Sequence, residues 1–317
     1  MNTVYDDKWI KKSNNLIAKY PNYYLREFKN FNTKLSYRTL HNYIRYISAF
    51  LNNSKKDITE IGFDDYTEYM ASIRNSTPSN QIVAYSALKK YSKYLYASGK
   101  TAKDYMDSIE RPNATERQET ITKRAKGYLT KEEITQYINN VKNSTGYREA
   151  KYWKERDLCL VQLFLVTGIR ESGIWKLDVN DINFENKELI TTEKRGKVRT
   201  YPLSDNVLES CRVWLIERRR RARANETALF VSENGGRLST ERMRDIIHSY
   251  ARDIKGKNIT PHKLRATYGT QVFDATRDIY LTQIAMGHSS PHTTELYIRG
   301  QDDNNMNVAA NVMSNLI

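Results

Sequence analysis

Six residues in the C-terminal half of this 317-residue chain have the types and the order needed to attack a phosphodiester. They are Arg170, closing the stretch Thr167-Gly168-Ile169-Arg170, then Lys194, His262 and Arg265 in His262-Lys263-Leu264-Arg265, then His288 and Tyr297. A guanidinium stays charged and presents a planar fork of donors that matches two phosphate oxygens, so Arg170 and Arg265 are the natural clamps. His262 lies three residues before Arg265, a spacing that puts both on one helix face. A tyrosine has a free pKa of about 10. Tyr297 would need a cationic neighbourhood or a base to act as a nucleophile near neutral pH, and His262 is the better candidate base. Taken singly, Thr-Gly-Ile-Arg, His-x-x-Arg and a lysine in a turn are weak signals. At the turn, Arg195 and Lys197 compete directly with Lys194.

The elements that must carry these residues read as mostly helical. Residues 36–51 place apolar side chains at 40, 43, 44, 47, 50 and 51, a helical stripe, with Arg38, His41 and Arg45 on or near the other face. A second helix is expected from about Asn80 to Ala97, with Ile82, Tyr85, Leu88, Tyr91 and Leu95 inward. Lys89, Lys90 and Lys93 would lie opposite, and Gly99 would be its stop. Residues 111–123, with Pro112 and no apolar period, read as an exposed linker. Thr130 followed by Glu133 is a capping box that opens the next unit. Residues 157–166 are almost continuously apolar and predict a buried helix that delivers Arg170 from the Thr167-Gly168 turn. Residues 187–203 predict a β-hairpin with Lys194 at its tip. A helix from about Asp205 ends in the basic run Arg218–Arg223, read equally as a solvated helix end or a phosphate-contacting patch.

The bulk composition narrows the class. A formal charge of +14 favours a polyanionic partner. Mean hydropathy is −0.73 and no run of eighteen apolar residues occurs, so a soluble, cytoplasmic protein is expected, without signal peptide or membrane helix. Cys159 and Cys211 are expected in the core rather than in a disulfide or a zinc site. No cluster of His, Cys, Asp or Glu has metal-ligand spacing, and no phosphate-binding glycine loop is present. No metal and no cofactor are therefore expected. His292 is read as a surface residue, and His41 and His248 as structural.

The segments Thr260–Arg265, Met286–Ser290 and Thr293–Tyr297, in this order, resemble the tyrosine recombinases of the phage integrase family. His288 stands nine residues before Tyr297, as is usual there. The resemblance implies an N-terminal helical core-binding domain (residues 1–110), a linker (111–123) and a C-terminal mixed α/β catalytic domain (124–317) with a tail from about residue 298. The fold class is therefore mainly α with a small β-sheet. The resemblance also selects Lys194 among its competitors, by its distance from Arg170, and makes it the acid for the departing 5′ oxygen. His288 becomes a donor to a non-bridging oxygen. The implied activity is cutting and rejoining of DNA through a 3′-phosphotyrosyl link and a Holliday junction, by a homotetramer on two double-stranded sites with inverted repeats. Accessory proteins are left open, and a nucleoid-associated location follows. A transposase, telomere resolvase or type IB topoisomerase-like strand transferase is the first alternative. A catalytically silent DNA-binding protein on the same fold is the second. One position departs from the pattern: three residues after Arg170, where the family usually carries an acid, this chain has Gly173. The final residues 306–317 read as a short apolar helical stripe that would pack on its own domain or on a neighbouring subunit, and the resemblance favours the neighbour.

Overall fold

Among the described residues, five helices build the first unit of the chain, Met1–Glu116: α1 (Thr3–Ile17), α2 (Leu25–Phe31), α3 (Tyr37–Ser54), α4 (Phe63–Ser72) and α5 (Pro78–Ala97). The computed structural model describes residues 3–113, 128–192, 198–254 and 257–287. Helix α3 is the expected stripe. Leu40, Ile44, Ile47, Phe50 and Leu51 are buried, and the Ser36 hydroxyl accepts the Thr39 N–H at 3.2 Å as its N-cap. Helix α5 starts two residues earlier than expected, because Thr77 caps it and Pro78 supplies a pre-set φ at the first helical position. It stops at Gly99, whose φ of 67° lets the Lys100 N–H reach Leu95 O and its own N–H reach Tyr96 O. Lys89 departs from the expected solvated face. It lies half-buried along Tyr85, with its ammonium 5.8 Å from the ring centre, because a long aliphatic stem gains by covering apolar surface. His41 packs against Trp9, with ring centres 5.3 Å apart. Burial, with Lys12 and Arg45 nearby, holds its pKa below the usual value, as befits a structural histidine.

The second unit, Arg117–Ile317, opens with α6 (Lys131–Lys142). Its capping box is formed: Thr130 Oγ1 accepts from Glu133 N at 3.3 Å and Glu133 Oε2 accepts from Thr130 N at 2.8 Å. Helix α7 (Lys154–Thr167) is the hub. It packs against α6, α9 (Asp205–Arg221) and α11 (Pro261–Thr276), and buries Leu160, Val161, Leu163 and Phe164 completely. The short helices α8 (Glu171–Lys176), α10 (Thr240–Ser249) and α12 (Ile279–Met286) complete the described helices. The expected hairpin is two antiparallel strands, β2 (Glu188–Thr192) and β3 (Val198–Pro202), in a register that pairs Leu189 with Tyr201 and Thr191 with Arg199. A third strand, β1 (Ile182–Asn183), pairs with β2 and was not foreseen, since two residues show no alternation. The hairpin tip, residues 193–197, lies outside the described residues. The fold is thus mainly α with one small antiparallel sheet.

Arg218 is neither solvated nor available to a phosphate. It is buried and donates to the carbonyls of Ala228 and Glu226, so it staples α9 to the segment after it. His248, expected to be structural, is exposed in the last turn of α10. Cys159 and Cys211 are buried as free thiols, 3.3 Å apart. No described helix is long and apolar enough to cross a membrane.

The run from 157 to 166 concealed an ionic network. Asp157 accepts from Arg156 Nε at 2.9 Å, from the Tyr147 hydroxyl at 2.7 Å and from the Tyr250 hydroxyl at 2.8 Å. Both members of the ion pair are fully buried. Burial pushes the Asp157 carboxyl above its usual range although Arg156 and the two hydroxyls favour its charged form. Such a pair is costly to bury and costlier to break, because one partner alone is an uncompensated charge. Asp157→Ala is therefore expected to destabilise the protein by about 3–5 kcal/mol. Urea denaturation checks this, and a loss below about 1 kcal/mol, the scale of an exposed pair, would show that the network does not hold this core.

Candidate active site

Helix α7 ends at Gly168, whose φ of 59° turns the chain out of the helix. A β-carbon there would also lie 2.2 Å from the ring of Tyr268 on α11, so glycine is required twice over at this position. Ile169 is anchored in the core, and the next residue, Arg170, is exposed and caps α8. Its Nη2 donates to Gly287 O at 3.4 Å.

Arg265 approaches the same place from α11, but from inside. It is buried and donates to Gly168 O through Nη1 and to Met286 O through Nη2. One guanidinium thereby joins the turn that presents Arg170 to the end of α12. Gly269, one turn further along α11, makes this approach feasible. A β-carbon there would meet Met286 Sδ at 2.3 Å, so any larger residue would have to displace the Met286 side chain.

His262 stands in the first turn of α11, after the N-cap Thr260, which accepts from Lys263 N at 3.3 Å. The expected shared face with Arg265 resolves into two depths: His262 is exposed while Arg265 turns inward. The end of α12 is the meeting point. Gly287, with φ of 64°, closes the helix, and the next residue in the chain is His288. Lys194, His288 and Tyr297 themselves lie outside the described residues, as does the tail from about residue 298.

The last turn of a helix leaves carbonyls without intrahelical donors and carries a partial negative charge. The carbonyls at the end of α12 receive three arginines from three elements: Arg199 of β3 on Ile284, which also accepts the Gly287 N–H, Arg265 on Met286 and Arg170 on Gly287. A carbonyl accepts a hydrogen bond without neutralising a guanidinium, so charge suited to a phosphate collects here. Tyr268 is a described tyrosine close to these charges. Burial raises its pKa although the charges of Arg199 and Arg265 act to lower it, which makes it a poor nucleophile.

Gly173, the departure noted in the sequence, has a steric reason. A β-carbon there would fall 2.4 Å from Ile169 Cγ2, so the side chain that anchors the Arg170 turn occupies the space. Glu171 pairs with Arg244 of α10 at 2.6 Å. The Thr167-Gly168 turn was foreseen, while Arg199 and Gly269 were missed by the motif reading. For Arg199 a signal existed: in the alternation of β3 it falls with Tyr201 on the inward side, where an arginine must find a partner.

Comparison with known proteins bears on this geometry. The model of the phage integrase family matches residues 127–304. Tyrosine recombinase XerS of Streptococcus agalactiae serotype III (strain NEM316) is 30% identical over 242 residues, 70% of this chain and 68% of that protein. XerS of Streptococcus sanguinis (strain SK36) is 28% identical over 291 residues, 82% of this chain and 80% of that protein. Among solved structures, the XerH site-specific recombinase in a post-cleavage complex with a palindromic difH substrate aligns with a TM-score of 0.71 at 17% identity, covering 96% of this chain and 89% of that one. A lambda integrase dimer bound to a COC′ core site aligns with a TM-score of 0.63 at 15% identity, covering 86% and 93%. With a family match across the unit that carries both arginines, and XerS relatives along most of its length, this chain belongs to the phage integrase family of tyrosine recombinases.

Proposed function

We propose that this chain is a site-specific DNA recombinase that cuts one strand with Tyr297, holds it as a 3′-phosphotyrosyl link, and passes it to a second duplex through a Holliday junction. The observation that carries the reading is the delivery of Arg170 from the turn after α7 and of Arg265 from α11 to the end of α12, one residue before His288. In this reading the two guanidiniums and His288 hold the non-bridging oxygens, where charge develops in the transition state. His262 takes the Tyr297 proton, the phenolate oxygen bonds to phosphorus, and the bond to the 5′ oxygen breaks. Lys194 protonates that oxygen as it leaves. The phosphotyrosyl bond retains the phosphodiester energy, so a 5′ hydroxyl from another strand can reverse the step.

A nicked substrate carrying a candidate inverted-repeat site tests this. Loss of the fragment after the nick should leave the protein covalently on the 3′ phosphate, and intact duplexes should exchange strands at that site. Supercoil relaxation without exchange would indicate a topoisomerase-like enzyme. Absence of any adduct would leave a DNA-binding protein.

A homotetramer on two sites completes the proposal, with a nucleoid-associated location in the cytoplasm. Its support is an apolar row on α12, where Tyr280, Leu281 and Ile284 are 68%, 44% and 55% exposed. Deleting residues 306–317 is expected to leave single-site binding intact while weakening the two-site complex, as read by gel shift. An unfolded truncation, or unchanged pairing of sites, would show that the tail is not an intersubunit latch.

A further inference from the structure

We infer that Arg199 is a positioning residue for strand cleavage, a strut that holds the β2–β3 hairpin against the end of α12. The inference rests on the reading of Lys194 as the leaving-group acid. Its starting point is register. Along β3, Val198, Thr200 and Pro202 are exposed while Arg199 and Tyr201 turn inward, opposite Thr191 and Leu189. An inward arginine in a small sheet must satisfy its donors or destabilise the strand. Arg199 does so across a long stretch of chain. Its Nη2 donates to Ile284 O in the last turn of α12, and its Nη1 lies 3.4 Å from the Tyr201 hydroxyl. The guanidinium also sits over the Tyr201 ring, 5.3 Å from its centre, which limits the rotamers it can adopt.

The two ends of this strut matter because each stands close in the chain to a proposed catalytic residue. Lys194 precedes Arg199 by five residues, and His288 comes four residues after Ile284. A small sheet is marginal by itself, so strands such as β2 and β3 are held by whatever they are tied to. The bond from Arg199 to Ile284 ties the element carrying the acid to the element leading to His288. Of the three arginines that reach the last turn of α12, Arg199 is the one outside the proposed catalytic set. Misplacing a reacting group by about 1 Å can cost about 10²-fold in rate.

The test uses the full-length protein on nicked substrates whose scissile phosphate carries either the normal bridging 5′ oxygen or a bridging 5′ sulfur, which leaves without protonation. Lys194→Ala should be slow on oxygen and much faster on sulfur. Arg199→Ala is expected to lose about 10²-fold on oxygen and to regain most of it on sulfur. Arg199→Lys, which can still donate to Ile284 O, should fall between wild type and alanine, and it keeps the test open if the alanine variant does not fold. If Lys194→Ala recovers on sulfur while Arg199→Ala and Arg199→Lys do not, Arg199 does not act through the acid. The inference then falls and the role of Lys194 stands. If neither lysine nor arginine variants recover, the acid lies elsewhere and both readings fall. Wild-type rates for Arg199→Ala on oxygen would overturn the strut alone.

Discussion

Tyr297→Phe is expected to bind a cognate site as wild type does and to form no covalent adduct. The substitution removes one oxygen. Affinity for DNA is spread over many of the lysines and arginines behind the +14 charge, so binding should change little. The nucleophile has no such redundancy. Removing it should lower cleavage by several orders of magnitude, as deletion of a covalent nucleophile does when the remaining groups act only in concert with it. Trapping on a nicked substrate, with peptide mapping of the adduct, reads both outcomes. Tyr268 is the sharpest internal control. It lies near the charges of Arg199 and Arg265, yet burial holds its pKa up and its ring is packed on Gly168. An adduct mapped to Tyr268 would overturn the assignment of Tyr297.

Arg170→Ala and Arg265→Ala are each expected to lower cleavage by about 10²–10³-fold, the usual loss for one preorganised donor to a developing oxyanion. Both should largely spare binding, since their contribution is greatest in the transition state. Their effects on the fold should differ. Arg170 is exposed, and its loss should cost less stability than the loss of Arg265. Arg265 is buried, and its loss removes the donors on Gly168 O and Met286 O. Each buried carbonyl so stranded costs about 1–3 kcal/mol. Urea denaturation beside quantitative footprinting separates the two roles. Arg265→Lys should recover part of the stability and little of the rate, because an ammonium cannot reproduce a planar fork. Binding loss in parallel with rate loss would make the arginines docking contacts instead. Equal destabilisation by the two alanine variants would contradict the burial difference.

Much of the local structure was readable because short-range rules set it. The stripe of α3 follows from a period of 3.6, the stop of α5 from the freedom of Gly99 at positive φ, and the start of α6 from the reciprocal bonds of Thr130 and Glu133. Strands β2 and β3 were legible from alternation and a turn. Where reading failed, the cause was a partner that no local period announces. Nothing near Arg218 announces that Ala228 and Glu226 will take its donors, so a run of arginines read as surface. Nothing near Asp157 announces Tyr250, so an ionic network read as an apolar helix.

The site divides in the same way. The order and spacing of the residues carried a resemblance to tyrosine recombinases, and that resemblance implied the reaction class; the residue types alone offered a set able to clamp a phosphodiester and attack it. The spacing of His262 and Arg265 placed them on successive turns of one helix, and that much was correct. It could not say that Arg265 would turn into the core while His262 stayed at the surface, since depth depends on what packs against α11. Only the tertiary structure decided that three arginines from a turn, a strand and a helix would meet on the last carbonyls of α12. A helix end must find donors for its carbonyls, but which donors reach it is settled by how distant elements pack, and no local pattern records that.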